Sequence, residues 1–474
     1  MTHSMPKIIL LLAVLACCHS TVAQHNRTEP PAEVCQQTSG QLTLRDCMDY
    51  AVAHSTEMRL SAADRSDERA AHRQALLAAF TPSIGAQSYA YNQYGRNLDP
   101  ETNTYTDFTT FHNGYSLSGS ITLFNGFQAI NRIRLTRVQQ QMGLSLEHQS
   151  ADKVRLSVME AYYHVVYYNR LVEVLRLQTA TADSLLLKAR REEELGRKGH
   201  ADVVQMESEQ AQRQYQLVQA QGQRSQALLT LKETMCWPAD RPLLIADQPE
   251  ELEPAAALNS QLSTLNSDRP AAALNSQFST LNSDRLPAVQ IARANLRQAE
   301  LQVRGARAAW SPTLAFHAGW STTYYTYPGL VGYTPLSFQE QWRGNGGEYV
   351  QLTLDIPLYS KGQRSLALKK SKNERTRAQA RLEQAERERD NALLRAADEV
   401  ATARANYIQA QKLAEVKRQA YALSQRQYEL GLISSIEYQT ASQSFLGAEA
   451  ESINAQLQLQ LKEHQLNYYR TGQY

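Results

Sequence analysis

Proline is missing from Gly126 to Glu194 and again from Gly362 to Leu430. Also missing is an apolar run that could cross a bilayer as a helix. The longest, Ile8–Cys18, falls short of the ~20 residues a span requires, and mean hydropathy is −0.49. There is no charge surplus, with 49 basic against 47 acidic residues. A phosphate-binding face would need a basic excess, so nucleic acid is not expected as a partner. HExxH, paired CxxC, a glycine-rich phosphate loop and GxSxG are all absent. The 11 histidines are scattered, and His164 reads as a packing residue. These absences exclude the usual routes to catalysis, so the sequence predicts no enzyme, no cofactor and no metal site.

Cysteine is scarce too, and two of the five lie in the apolar run. That run has the layout of an export signal: Lys7 as the basic region, Ile8–Cys18 as the apolar region, then Thr21-Val22-Ala23 as a small-residue cleavage site. Residues 1–23 are read as a signal peptide and 24–41 as an N-terminal extension. Val14-Leu15-Ala16-Cys17 loosely matches a lipobox, which would leave Cys17 lipidated; both processing routes imply export. Cys35 and Cys47 either form a disulfide after export or remain unpaired thiols.

What is present is a duplication. Phe80-Thr81-Pro82-Ser83 recurs as Trp310-Ser311-Pro312-Thr313, and Ser120–Phe124 as Asp355–Tyr359. Glu194-Leu195-Gly196 recurs as Glu429-Leu430-Gly431. The offset is 230 at the first pair (312 − 82) and 235 at the others (359 − 124, 431 − 196). In the second copy Leu393, Ala396, Val400, Ala403, Tyr407, Ala410, Ala414, Tyr421 and Ser424 alternate spacings of three and four, interrupted at Lys417. Moving back by 235 gives Val158, Ala161, Val165, Tyr168, Val172, Leu175, Thr179, Leu186 and Ala189, the same coiled-coil seam. The proline-free stretches therefore read as two helices on the order of 100 Å long, each ended by a glycine cap, Gly196 or Gly431. Each turns back through a second helix, His200–Thr234 or Ser434–Tyr469.

Ahead of each long helix the period changes to two. Tyr115, Leu117, Gly119, Ile121 and Leu123 alternate with Ser and Thr, as Val350, Leu352, Leu354, Ile356 and Leu358 alternate with polar residues. Ile84–Tyr94 and Leu314–Tyr327 alternate more weakly and are rich in Tyr and Trp. Long polar segments, Gly95–Asn113 and Pro328–Gly347, lie between. Strands of ~10 residues with one apolar face and flanking aromatics have the pattern of a transmembrane β-barrel. Four strands cannot close a barrel, and an open edge in lipid leaves backbone groups unpaired. If the strands lie in a membrane, more than one copy of the chain is required; the alternative is an ordinary soluble hairpin with one buried face.

This order of elements resembles the TolC-type outer membrane efflux proteins from about Leu42 to Tyr469. The resemblance rests on the aromatic-Ser/Thr-Pro entries, the corners Leu123–Gly126 and Leu358–Gly362, and the Leu-Gly tip turns. It implies a mixed α and β fold, in which an all-α coiled-coil helical barrel continues into a transmembrane β-barrel. It also implies a homotrimer with four strands per chain and twelve in all. Such a trimer sits in the outer membrane of a Gram-negative bacterium, among its lipids, with a large periplasmic portion. It docks on a periplasmic adaptor (membrane fusion) protein and through it on an inner membrane transporter, and it exports small molecules or polypeptides passively. The implied division is a first repeat over 42–236, with β-hairpin 84–124 and helical hairpin 126–235. An inter-repeat segment spans 237–286 and contains the near-identical tandem 254–285. The second repeat covers 287–474, with β-hairpin 313–358 and helical hairpin 362–469.

The resemblance also implies an aperture near the tips. Asp202 and Tyr428 match positions that bond to each other in the closed state. Where the family has an arginine two residues after the tip glycine, this chain has Ile433. Glu437 matches the first of two ring carboxylates, and the second position is Thr440. The alternative for Glu437 is a carboxylate in the first turn of a helix, where it suits the macrodipole. The tips, 195–201 and 430–436, with Leu195, Gly196, Leu430, Gly431, Leu432 and Ile433, are the expected adaptor contact; packing within the tip is the competing explanation for Leu432 and Ile433. Competing readings are the periplasmic adaptor itself and a structural trimeric coiled-coil surface protein.

Overall fold

The computed structural model describes residues 41–98, 103–107, 109–246, 286–328 and 334–472. Cys17, Cys35, the signal segment and the tandem 254–285 lie outside the described residues. In chain order the elements are α1 (Leu44–His54), α2 (Thr56–Phe80), β1 (Ser83–Gln93), β2 (Arg96–Leu98), β3 (Tyr105–Asp107) and β4 (Thr110–Phe124). Then come α3 (Gln128–Glu194), α4 (His200–Met235), α5 (Pro287–Ala308), β5 (Thr313–Thr326), α6 (Phe338–Gly344), β6 (Gly347–Asp355), α7 (Gln363–Glu429) and α8 (Ser435–Thr471).

β1, β4, β5 and β6 form one antiparallel sheet in that order. Its register sorts the side chains cleanly. Because successive residues point to opposite faces, Ile84, Gly119, Ala318 and Val350 make one row, and Ile121, Phe316 and Leu352 make the next on the same apolar face. Ser83, Ser120, His317 and Gln351 line up on the other face, as do Thr122, Ala315 and Thr353. The last strand stops at Asp355, short of the apolar alternation through Leu358, because Pro357 has no N–H to give a ladder. The polar segment before it holds a helix, α6. Gln341 of that helix accepts from the Tyr325 amide (3.0 Å) and donates to the Tyr325 carbonyl (2.8 Å), occupying the stretch of β5 that β6 is too short to reach.

Each strand continues into a helix on the same side. α2 packs on α3, α3 on α5, and α5 on α7, so the lateral order of helices repeats the strand order. α3 and α7 are 67 residues each, about 100 Å of helix at ~1.5 Å per residue. A helix that long is held by packing on its neighbours rather than by propensity. Val158, Ala161, Val165, Val172, Leu175, Thr179, Leu186 and Ala189 of the first seam are buried, and Tyr168 is half-buried. In the second seam Leu393, Ala396, Val400, Ala414 and Tyr421 are buried, while Ala403, Tyr407, Ala410 and Ser424 are half-buried. Lower down, α3 pairs with α4 and α7 with α8, and α8 also touches α3 and α4.

The largest core surrounds the middle of α3, where Val158, Met159, Tyr162 and Val165 meet Leu44, Met48 and Ala51 of α1, Leu231 and Met235 of α4, and Leu243 and Ile245. Cys47 is a free thiol with no exposed surface in this core. Burial, with Asp46 adding to it, pushes its pKa up to about 12. The buried position inside α1, well packed on every side, is what a disulfide bridge would have to disturb.

Candidate functional site at the hairpin tips

Both long helices end in the same turn. The amide of Arg197 donates to Glu192 O and that of Gly196 to Glu193 O; Leu432 donates to Gln427 O and Gly431 to Tyr428 O. This is the Schellman pattern, which needs a left-handed residue, and Gly196 and Gly431 have φ of +66° and +72°. The second turn enters α8 through a capping box: Ser434 N donates to Glu437 Oε2 (2.9 Å) and Glu437 N donates to Ser434 Oγ (3.2 Å). Glu437 is thus an exposed first-turn carboxylate bonded to its own helix cap. Thr440 is exposed and donates to Ile436 O at 2.9 Å.

The tips share a small core. Leu185, Leu186, Ala189, Val203 and Met206 of the first hairpin meet Tyr421, Tyr428, Tyr438 and Phe445 of the second, with Ile433 against them. Tyr428 stacks on Tyr438 with centroids 5.2 Å apart. Its hydroxyl accepts from Lys198 Nζ at 2.9 Å, and Lys198 also pairs with Glu192 at 3.3 Å. Asp202 makes no side-chain hydrogen bond among the described residues, and within this single chain Tyr428 bonds Lys198 and not Asp202. The reason is reach: Lys198 stands in the turn before α4 and covers the tyrosine ring, with Nζ 4.1 Å from its centroid. Burial opposes the charge on Lys198, yet the Tyr428 hydroxyl and the Glu192 carboxylate outweigh it and hold the lysine above its ordinary pKa.

Further cross-links tie the hairpins. Lys188 donates to Glu429 O (3.3 Å) and Gln205 to Gln439 (2.6 Å). Higher up, Arg213 and Glu209 form an ion pair at 2.7 Å with side chains 1% and 3% exposed. Arg213 also donates to Gln216 (3.1 Å) and across the hairpins to Ser442 (2.8 Å). The second oxygen of Glu209 has no partner among the described residues. Tyr421 and Tyr438 join hydroxyls at 3.0 Å beside this pair, and burial raises both their pKa values. None of Lys198, Glu209, Arg213, Gln205, Gln439 and Ser442 stood out in the sequence. The i,i+4 spacing of Glu209 and Arg213 was the one available signal, and it suits an exposed helix pair equally well.

At the very ends Leu195, Leu430, Leu432 and Ile436 are each more than 60% exposed. Four large apolar side chains on two adjacent turns make a surface that water covers poorly. Ile433, by contrast, packs inward. Among the described residues no cluster of His, Cys, Asp and Glu could hold a metal ion, and no helix is long and apolar enough to cross a membrane.

Residues 282–469 match the family model described as outer membrane efflux protein. No curated protein matches the sequence. Among solved structures, CusC superposes with a TM-score of 0.73 at 14% identity, covering 91% of this chain and 92% of that one. The outer membrane protein VceC from Vibrio cholerae gives 0.70 at 13%, covering 90% and 95%. The CmeC outer membrane channel of Campylobacter jejuni gives 0.71 at 15%, covering 90% and 85%. Identities this low speak for the fold, and they extend the likeness through the first half, which the family model leaves unmatched. Residues 282–469 therefore match the outer membrane efflux proteins, and the chain as a whole shares the fold of CusC, VceC and CmeC.

Proposed function

We propose that three copies of this chain form the passive outer membrane exit duct of a tripartite efflux pump or type I secretion system. The observation that carries the reading is the matched pair of free edges. β1 and β6 end the sheet, and α2 and α7 end the helical layer on the same sides. An apolar face on a four-stranded sheet with both edges open has no stable place in lipid unless neighbouring copies complete the ladder. β6 runs antiparallel to β5 and β1 to β4, so β6 of one copy meets β1 of the next antiparallel, and the helices close into a tube below. Twelve strands then surround a lumen lined by Ser, Thr, Gln and His, and a periplasmic adaptor docks on the apolar tip residues. The adaptor couples the duct to an inner membrane transporter, which supplies the energy.

Three copies of Glu437 near the tube axis would favour cations in the narrow end. The test is single-channel conductance in planar bilayers, wild type beside Glu437→Ala. A cation-selective conductance that loses selectivity in the variant supports duct and aperture together. Conductance with unchanged selectivity keeps the duct and leaves Glu437 as a helix cap. A folded protein that stays soluble without detergent and conducts nothing refutes the duct and favours the adaptor or fibre alternatives.

A further inference from the structure

Just below the sheet, α3 and α5 enclose a groove of about 710 Å³ lined by Arg134, Arg137, Arg293, Arg297 and Arg304, with Glu300 as its carboxylate. Arg293 pairs with Glu386 at 3.5 Å. Arg134, Arg137, Arg297 and Arg304 are exposed and have no ion-pair partner among the described residues. Four unpaired guanidinium groups around one carboxylate repel one another unless an anion sits between them. The floor is apolar, formed by Val138, Leu296 and Leu301.

The fold does not demand this cluster. Moving Arg134 and Arg137 forward by 235 gives Lys369 and Lys372, but moving Arg293, Arg297 and Arg304 back by 230 gives Ala63, Asp67 and Gln74. The positions on α2 that match Arg293, Arg297 and Arg304 therefore carry no arginine. The groove also lies within one chain, since α3 and α5 are adjacent and α2 and α7 take the outer positions.

Its direction follows from α3. Arg137 and Tyr162 are 25 residues apart (162 − 137), which at ~100° per residue leaves them within about 20° of one face. Tyr162 donates to Ala246 O at 2.6 Å and packs with Leu243 and Ile245. If the helices form a tube, as proposed above, such added segments belong on its outside, where they do not block it. The arginine groove then faces outward as well. Its upper end lies at the membrane surface: Arg304 is four residues, about 6 Å, from the top of α5, and Arg134 six residues, about 9 Å, from the top of α3, while Arg137 and Arg297 line the groove about 14 Å and about 17 Å down. The headgroup layer is about 5–8 Å thick on each side, and arginine stems reach upward to it from below.

We propose that this groove binds the phosphate of an anionic phospholipid in the periplasmic leaflet. The guanidinium forks hold the phosphate oxygens, and an acyl chain or glycerol lies on Val138, Leu296 and Leu301. The proposal rests on the duct reading for its outward direction.

The test measures phosphatidylglycerol and phosphatidylcholine binding to the delipidated, detergent-purified oligomer by native mass spectrometry. Wild type is set beside R134Q/R137Q/R297Q/R304Q and the matched K369Q/K372Q. Wild type should prefer phosphatidylglycerol by about tenfold or more, and the quadruple variant should lose that preference while K369Q/K372Q keeps it. Oligomer mass reports whether each variant is assembled, and R134K/R137K/R297K/R304K should retain part of the binding. An assembled quadruple variant that binds like wild type overturns the proposal, and so does equal binding of the two lipids. Complete displacement by inorganic phosphate would make it a soluble-anion site and also overturn it. Conductance of the same preparations separates the two claims: a conducting oligomer with arginine-independent lipid binding refutes the groove alone, and a detergent-free soluble, non-conducting protein refutes the duct.

Discussion

Arg213→Met is the substitution that most directly tests how the hairpins are held together. The guanidinium is 1% exposed, bonded to Glu209, Gln216 and Ser442. Methionine keeps much of the volume but removes the charge, leaving the Glu209 carboxylate buried with neither oxygen paired to a cation. Stranding one partner of a buried ion pair costs about 3–5 kcal/mol. Removing both, as in Glu209→Leu/Arg213→Met, replaces the pair by apolar groups and should be roughly neutral, because the desolvation cost of the ions disappears with their attraction. Global unfolding of an oligomer in detergent is a poor readout, since it depends on protomer concentration. Hydrogen exchange of the α4 amides around Val203–Arg213 reads the local opening instead. At about 1.4 kcal/mol per decade, the single variant should lose roughly two to nearly four decades of protection, and the double variant should recover most of it. A single-variant loss below about fivefold would refute the reasoning, because it would mean that water or a rearranged neighbour already solvates Glu209.

Gly431→Ala should destabilise the second tip by about 1–2 kcal/mol through its left-handed φ, and Gly447→Ala, in mid-helix with open space around it, should stabilise by about 0.5–1 kcal/mol. Equal shifts in thermal unfolding at matched concentration would contradict the turn geometry. Lys198 has a folded pKa raised above its unfolded value, so its contribution to the tip is complete below the ordinary lysine value and fades as pH rises through the raised one. Conductance should hold steady from pH 7 to 9 and change only in the more alkaline range, and Lys198→Met should abolish that alkaline change; a transition near neutrality would assign the pH dependence of the tip to another group. Val350→Arg, on the apolar face of β6, should cost about 2–4 kcal/mol if it meets lipid, whereas Gln351→Arg on the other face should cost little. The reverse order in urea-induced unfolding from bilayers would invert the two faces of the sheet.

Period and repetition carried most of the architecture into the sequence. A two-residue alternation places Leu117, Gly119 and Ile121 on one face whatever their neighbours are, and the sheet shows them there beside Trp320, Ala318 and Phe316. The seam from Val158 to Ala189 was legible for the same reason, and the duplication let one copy check the other. The strand end at Asp355 was less so: alternation continued to Leu358, and only the missing amide of Pro357 marked the break. The tip network was not legible at all, because its members look like surface residues on any single helix. Arg213 is buried by what lies across from it on α8, and nothing in the spacing of α4 reveals that Ser442 will stand there. The same gap separates Asp202 from Lys198. Position in a family pattern pointed to the aspartate, but a turn of a few residues lets a lysine reach the Tyr428 ring first, and contacts made by long, flexible side chains depend on such local geometry rather than on periodicity. Correspondence therefore points to the tips as the place of the proposed aperture, while the contacts seen there within one chain are set by local reach and burial, which is why the substitutions argued above fall on Arg213 and Lys198 rather than on Asp202.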